Sequence, residues 1–368
     1  MTVFVTIQPH GGETFVKPLS LIRSGICLVL LTLGTVGAAD LPKPEYHLLK
    51  KISFSAAPGG REYYDYLTFE SSTRRLYLSH GTEVKVVNAD TGETVGTISN
   101  LNQTHGILIL NELGKGFITD GGDDSVVLFD LATLKITGRV KTVAEPDCIT
   151  YDSASNHVFV FNGHGHGMTV IDPQNGAALG IVPMGGTPES AVADGKGLIF
   201  DNNQDTSEVV VIDSRSLTIK VRWPIAPAGS PTAMAMDREH RRLFISGRDP
   251  QFFVVMNADT GKIIQSFPIS AGVDANVFEP DTGLIFTSTR DGLIHIFHED
   301  SPDMFSVAGT IKTEYGAKTM ALDPKTHNIF VTTSDFGPPP PATPLKPNPQ
   351  PDPMDRVPGT FRLLIYGR

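Results

Sequence analysis

Seven residues with ionisable or hydrogen-bonding side chains recur along this chain at nearly constant spacing. They are Asp65, His105, Asp147, Glu189, Thr232, Asp274 and Lys318, separated by 40, 42, 42, 43, 42 and 44 residues. Each opens a short stretch whose residues two and four places later, on the same face, are mostly apolar, and the contrast points to a wet, converging site at the strand starts rather than to core. If the repeating units close around an axis, these side chains converge. Four carboxylates and one imidazole in a narrow space form a ligand set for Ca²⁺ or for a transition ion such as Zn²⁺, with His105, Asp147 and Glu189 the leading trio. Without a cation the carboxylates repel and raise one another's pKa values. A hydrated, salt-bridged lining in which Lys318 neutralises part of the charge is the competing arrangement. A second layer follows from the ends of the next strands: His80, Asp120, Asn162, Asn202, Arg248, Arg290 and Asp335. Arg248 and Arg290 can hold an anionic group through forked hydrogen bonds, or pair with the ring carboxylates. His164 and His166, in the loop Asn162-Gly-His-Gly-His-Gly167, are too close together to build a closed metal site alone.

Each repeating unit has the same order of parts. A first apolar strand runs into a tight polar turn, such as Asp237-Arg-Glu-His-Arg241 or Asp323-Pro-Lys-Thr-His327. A second apolar strand follows, for example Arg242–Ser246. A third ends in Asn88-Ala-Asp-Thr-Gly92, Asp172-Pro-Gln-Asn-Gly176 or Asn257-Ala-Asp-Thr-Gly261. Asp or Asn bonds its own turn backbone, and Gly supplies the positive φ of the hairpin. A fourth strand, such as Lys262–Phe267, completes the unit. Four antiparallel strands every forty-odd residues define a propeller blade, and seven units predict an all-β, seven-bladed β-propeller. The seventh unit starts at Lys318, is interrupted by a Pro-rich insertion (337–358), and resumes at Phe361–Tyr366, one strand short. The missing outer strand is available at His47–Phe54, so the N-terminal strand is expected to complete the last blade and remove the exposed edge. The Pro-rich stretch cannot join a ladder and must loop out of the sheet or lie over one face.

Composition agrees with this reading. Gly 36 and Pro 27 imply many turns, and 19% charged residues is low for a helical protein. Arg23 precedes the apolar run Ile26–Leu33, and Gly37-Ala-Ala39 precedes Asp40; residues 1–39 therefore read as an extension with a signal peptide, and 40–368 as the propeller. The apolar run is too short to span a bilayer, so no membrane span is expected after cleavage and the mature protein is placed in the periplasm or outside the cell. Taking Lys17, Arg23 and Glu13 from 30 basic and 40 acidic residues leaves 28 and 39, a formal charge of −11. That balance argues against nucleic acid as a partner, which needs concentrated Lys and Arg. Cys148 is the one cysteine after residue 39, so no internal disulfide can form, and a monomer held by its core and ring closure is expected.

The units resemble the YncE-like, YVTN-repeat family of extracytoplasmic propellers. The likeness spans about residues 47 to 368. It lies in Gly186-Thr-Pro188 and Gly229-Ser-Pro231, in Arg75-Leu-Tyr-Leu-Ser79 and Val158-Phe-Val-Phe-Asn162, and in Val210-Val-Ile-Asp213. The literal Tyr-Val-Thr-Asn is degenerate, with Phe330-Val-Thr-Thr333 the nearest form, and the Gly-His and Trp-Asp pairs of WD40 repeats are absent. The resemblance implies the fold and leaves function open, because one fold hosts many roles.

No nucleophile elbow, HExxH, phosphate loop or CxxCH haem site occurs. Two readings of the ring remain. In the first, the protein is a binding or scaffold propeller whose small-molecule or protein partner sits at the channel mouth. In the second, it is a metal-assisted hydrolase, lactonase-like, in which a cation polarises a carbonyl and a carboxylate or His105 moves the proton. A role beside redox enzymes is suggested by the similarity of the repeat to quinoprotein and amine dehydrogenase propellers, but no cofactor-bearing residues are visible.

Overall fold

The computed structural model describes residues 44–59, 62–343 and 349–368; the expected export segment and its cleavage boundary lie outside the described residues. The described chain folds into seven four-stranded antiparallel sheets arranged as a seven-bladed β-propeller. Six sheets take four consecutive strands. The innermost strands are Leu67–Glu70, Thr104–Leu110, Pro146–Asp152, Pro188–Ala193, Pro231–Asp237, Val273–Glu279 and Met320–Asp323, for blades 1 to 7. In blade 7 the outermost strand is His47–Ser53, paired antiparallel with Arg362–Gly367 from His47↔Gly367 to Ser53↔Arg362. The chain ends thus share one sheet, and closure comes from the strand expected to supply it.

Burial follows the position of each strand in its blade. The second strands are buried on both faces because each is covered by a blade on either side; Arg242–Gly247 is buried throughout. Outer strands face solvent on one side, and Ala178–Pro183 is exposed at four of its six positions. The core is accordingly divided into seven clusters, one at each blade–blade interface. Between blades 5 and 6, Phe253 and Phe297 stack with centroids 4.2 Å apart, flanked by Phe244, Phe267 and Phe305. Burying such aromatics contributes about 1.5–3 kcal/mol each by area removed from water.

The turns behave as their residues dictate. Asn257 Oδ1 accepts from the backbone N–H of Asp259 and Thr260, and Gly261 has φ +70°. A Cβ on Gly261 would stand 2.3 Å from the Trp223 ring, so the position excludes side chains twice over.

The described parts of the Pro-rich insertion leave the sheet, and Met354 and Arg356 reach the face where the innermost strands begin. Gly337 N–H donates to Asp355 O (2.8 Å) and Val357 N–H to Asp335 O (2.8 Å), pinching its two ends together. Arg356 lies over the rings of Tyr63 and Tyr64, and the Tyr315 hydroxyl donates to Pro351 O (2.6 Å). No helix among the described residues is long and apolar enough to cross a membrane.

Candidate functional site: the channel mouth

The recurring register does place its side chains around one opening. His105, Asp147, Glu189, Thr232 and Asp274 are each the second residue of an innermost strand, while Asp65 and Lys318 sit two residues before theirs. Six of the seven line a cavity of about 330 Å³; Thr232 does not, and Gln204, which does, donates to its hydroxyl (3.2 Å).

Along one arc of the ring, from Asp274 through Lys318, Asp65 and His105 to Asp147, charges alternate. Lys318 Nζ reaches Asp65 Oδ1 (2.7 Å) and Asp274 Oδ2 (3.1 Å). On its far side Asp65 Oδ2 meets His105 Nδ1 (2.7 Å) and accepts the Tyr63 hydroxyl (2.9 Å). His105 Nδ1 also lies 3.4 Å from Asp147 Oδ1. Asp274 is clasped by Arg248 and by Arg290 (3.0 Å). The two arginines therefore pair with a ring carboxylate, yet both keep about 30% of their side-chain surface accessible at the cavity.

Protonation follows from these partners. Burial would lift Asp65, but Lys318 and His105 outweigh it and hold the carboxyl far below its usual range. Burial would lower the His105 imidazole, but Asp147 and Asp65 raise it to about 9, so it is a cation at neutral pH. Asp274 is held at about 2, burial being overcome by Arg290, Lys318 and Arg248. The other arc differs. Burial raises Asp147 to about 7, with His105 opposing. Burial and the Asp147 charge raise Glu189 to about 8, against a pull from Arg248 too distant to form a pair. These are the acids that the ring leaves uncompensated.

Of the trio singled out as metal ligands, His105 and Asp147 come together but Glu189 does not join them; Asp65 takes its place, with ligand atoms of Asp65, His105 and Asp147 all within 4.8 Å. In the second layer only Arg248 and Arg290 reach the mouth. His80 is buried against Glu62 (2.5 Å) and stacked on Phe361 (4.1 Å). Asp120 pairs with Arg139, Asn162 bonds Val143 O, Asn202 bonds Ser190 Oγ, and Asp335 pairs with Arg362. His164 lines the cavity rim beside Glu145 (2.6 Å), whereas His166 points to Gly186 O.

Sequence reading missed a further layer, two residues ahead of the ring. Tyr63, Gln103, Glu145 and Thr187 line the cavity, and the same position in blades 5 to 7 is Ser230, Gly272 and Gly316. The same period would have found them. The small residues have a reason: a Cβ on Gly272 would stand 3.0 Å from Cβ of Arg290, crowding the arginine that must pass there. Met354 and Arg356 of the insertion also line the cavity, and no repeat signals them. Asp201, buried behind Glu189, occupies a register where other blades carry Leu78, Ile118, Val160 and Ile245; burial pushes its carboxyl well above the usual range. Fold and site together define a closed seven-bladed propeller with a charged, roofed channel mouth. No protein-family model and no curated protein matches the sequence.

Proposed function

We propose that this is an exported, non-catalytic binding propeller, monomeric, whose ligand is a small polar molecule held at the channel mouth under the insertion. The supporting observation is the unequal pairing of the ring. Asp65, His105, Lys318, Asp274, Arg248 and Arg290 largely satisfy one another, while Glu189 and Asp147 face the same cavity without a full partner. A ligand with a cationic or N–H donor group for Glu189 and Asp147, and an anionic group for the accessible faces of Arg248 and Arg290, would complete the set. Kinship with the YncE-like propellers is supported by the Gly-x-Pro strand starts and the four-strand units. Export is supported by the apolar run and the Gly37-Ala-Ala39 site. Calorimetry against amino acids, diamines and dicarboxylates tests the reading. A zwitterionic ligand should bind, and both Glu189→Gln and Arg290→Ala should weaken it at least tenfold. Equal binding by wild type and both variants would remove the mouth as the site.

The hydrolase reading retains one supporting observation, the convergence of Asp65, His105 and Asp147. There a cation held by the carboxylates would act as Lewis acid on a carbonyl, and a remaining carboxylate, or His105 where it is not itself a ligand, would move the proton. Stoichiometric metal in protein purified without chelator, lost on Asp147→Ala, would favour it.

A further inference from the structure

The opposite ends of the innermost strands carry acids too. Five residues after the ring position stand Glu70, Asp152, Asp194, Asp237, Glu279 and Asp323, each at the turn into the second strand. In five of these six blades the following blade answers the acid with a donor or a cation. Asn111 donates to Glu70 (3.0 Å) and Ser214 to Asp152 (2.6 Å). Arg241 pairs with Asp194 (2.8 Å), His327 with Glu279 (2.8 Å) and Arg74 with Asp323 (2.7 Å).

Blade 5 breaks the pattern. The group that blade 6 presents to Asp237 is another carboxylate, Glu299. It is delivered by a hairpin unlike the others: the third and fourth strands of blade 6, Leu293–Ser301 and Met304–Lys312, are nine residues each, and the ladder shifts register at Glu299/Ser301. The Glu299 side chain is only 5% exposed, and neither of its oxygens completes a hydrogen bond. The guanidinium of Arg242, which lies nearby, is committed to the carbonyls of Pro302, His240 and Arg241 and to Asp303. Between the two acids stands His240, with Nδ1 2.7 Å from Asp237 Oδ2 and 3.2 Å from Glu299 Oε1, and 44% of its side chain open to solvent. Ligand atoms of all three residues lie within 4.8 Å of one another.

We propose that Asp237, His240 and Glu299 form a divalent transition-metal site, of the Zn²⁺ class, joining blades 5 and 6 on the face opposite the channel mouth. Two carboxylates and one imidazole are ligands that a first-row ion accepts, and solvent at the open His240 side supplies the remaining positions. Ligand atoms about 2.1 Å from a tetrahedral ion stand roughly 3.4 Å apart, so the 3.2 Å spacing of His240 and Glu299 already fits and the 2.7 Å spacing of His240 and Asp237 has to open by about 0.7 Å. The cation replaces the proton or imidazolium that otherwise has to separate two buried like charges. Along the strand from Thr232 to Asp237 the site is about 17 Å from the mouth, so it is independent of the ligand reading above.

Chelator-treated full-length protein is titrated with Zn²⁺ by calorimetry, beside Glu299→Gln, His240→Ala and the mouth variant Asp147→Asn. The expected result is one equivalent bound by wild type and by Asp147→Asn, with at least tenfold weaker binding in Glu299→Gln and in His240→Ala. Thermal unfolding in parallel should show Zn²⁺ raising Tm in wild type and in Asp147→Asn, and not in Glu299→Gln or His240→Ala. Absence of Zn²⁺ binding, binding lost in Asp147→Asn instead, or binding kept in either Glu299→Gln or His240→Ala overturns the proposal. Should Glu299→Gln not fold, His240→Ala alone decides.

Discussion

The two ends of the innermost strands carry the same kind of side chain for different purposes. At the turn end, five acids are each met from the next blade, by one partner except at Glu279, which faces both His327 and Arg368, and these sets stand apart from one another around the rim. At the mouth end, strands converge on the axis, so Asp65, Asp147, Glu189 and Asp274 must share His105, Lys318, Arg248 and Arg290. Dispersed carboxylates serve blade-to-blade adhesion. Converged ones build a field that one arc neutralises and the other leaves open. Residue type does not separate these roles; the distance from the axis does.

Lys318→Ala should be the harshest way to break the contrast. It strips a 6% exposed ammonium from two buried carboxylates, and loss of one partner from a buried pair costs about 3–5 kcal/mol. Denaturant unfolding should show the loss, with unchanged slope. A loss below about 1 kcal/mol would mean that the ring is wetter than its burial implies.

The next test is pH. Asp147 at about 7 and Glu189 at about 8 hold protons in the folded state that the unfolded chain has released above about pH 4.5. The folded state then binds more protons than the unfolded one, and stability falls as pH rises through that window. His105 adds in the same direction. Its folded value of about 9 lies above the unfolded one, so its contribution is complete below about pH 6.5 and is lost as pH passes 9. Melting temperature should therefore decline from pH 5 to pH 9. Glu189→Gln should flatten the decline and raise Tm at pH 8 by roughly 2–4 °C, the change that about 1 kcal/mol makes in a domain of a few hundred residues. A variant that melts lower at pH 8 would show that the Glu189 charge is compensated after all.

The smallest effect belongs to the turn end. Ser214→Ala removes one neutral donor from Asp152, which keeps the backbone N–H of Ser155, and should cost about 0.5–1.5 kcal/mol with no dependence on mouth ligands.

Much of this architecture was legible in the order of residues. The forty-two-residue period, the Asx-Gly turns and the truncated last unit led directly to seven blades and to the N-terminal strand that closes them, because hydrophobic alternation and turn chemistry act over a few residues. The ring register was legible for the same reason, and so, in retrospect, was the layer two residues ahead of it. Pairing was not. Whether Arg248 and Arg290 would face a ligand or Asp274, and whether Asp65 or Glu189 would stand beside His105 and Asp147, depends on angles between blades that no local pattern encodes. The roof of Met354 and Arg356 and the approach of Glu299 to Asp237 come from an insertion and a lengthened hairpin, departures from the repeat on which periodicity is silent. Short-range chemistry along the chain specified the blades and the identity of the converging side chains. Closure of the ring, which brings together groups some 250 residues apart such as Asp65 and Lys318, assigned each charge its partner, since Coulomb energy depends on distance in space rather than along the chain.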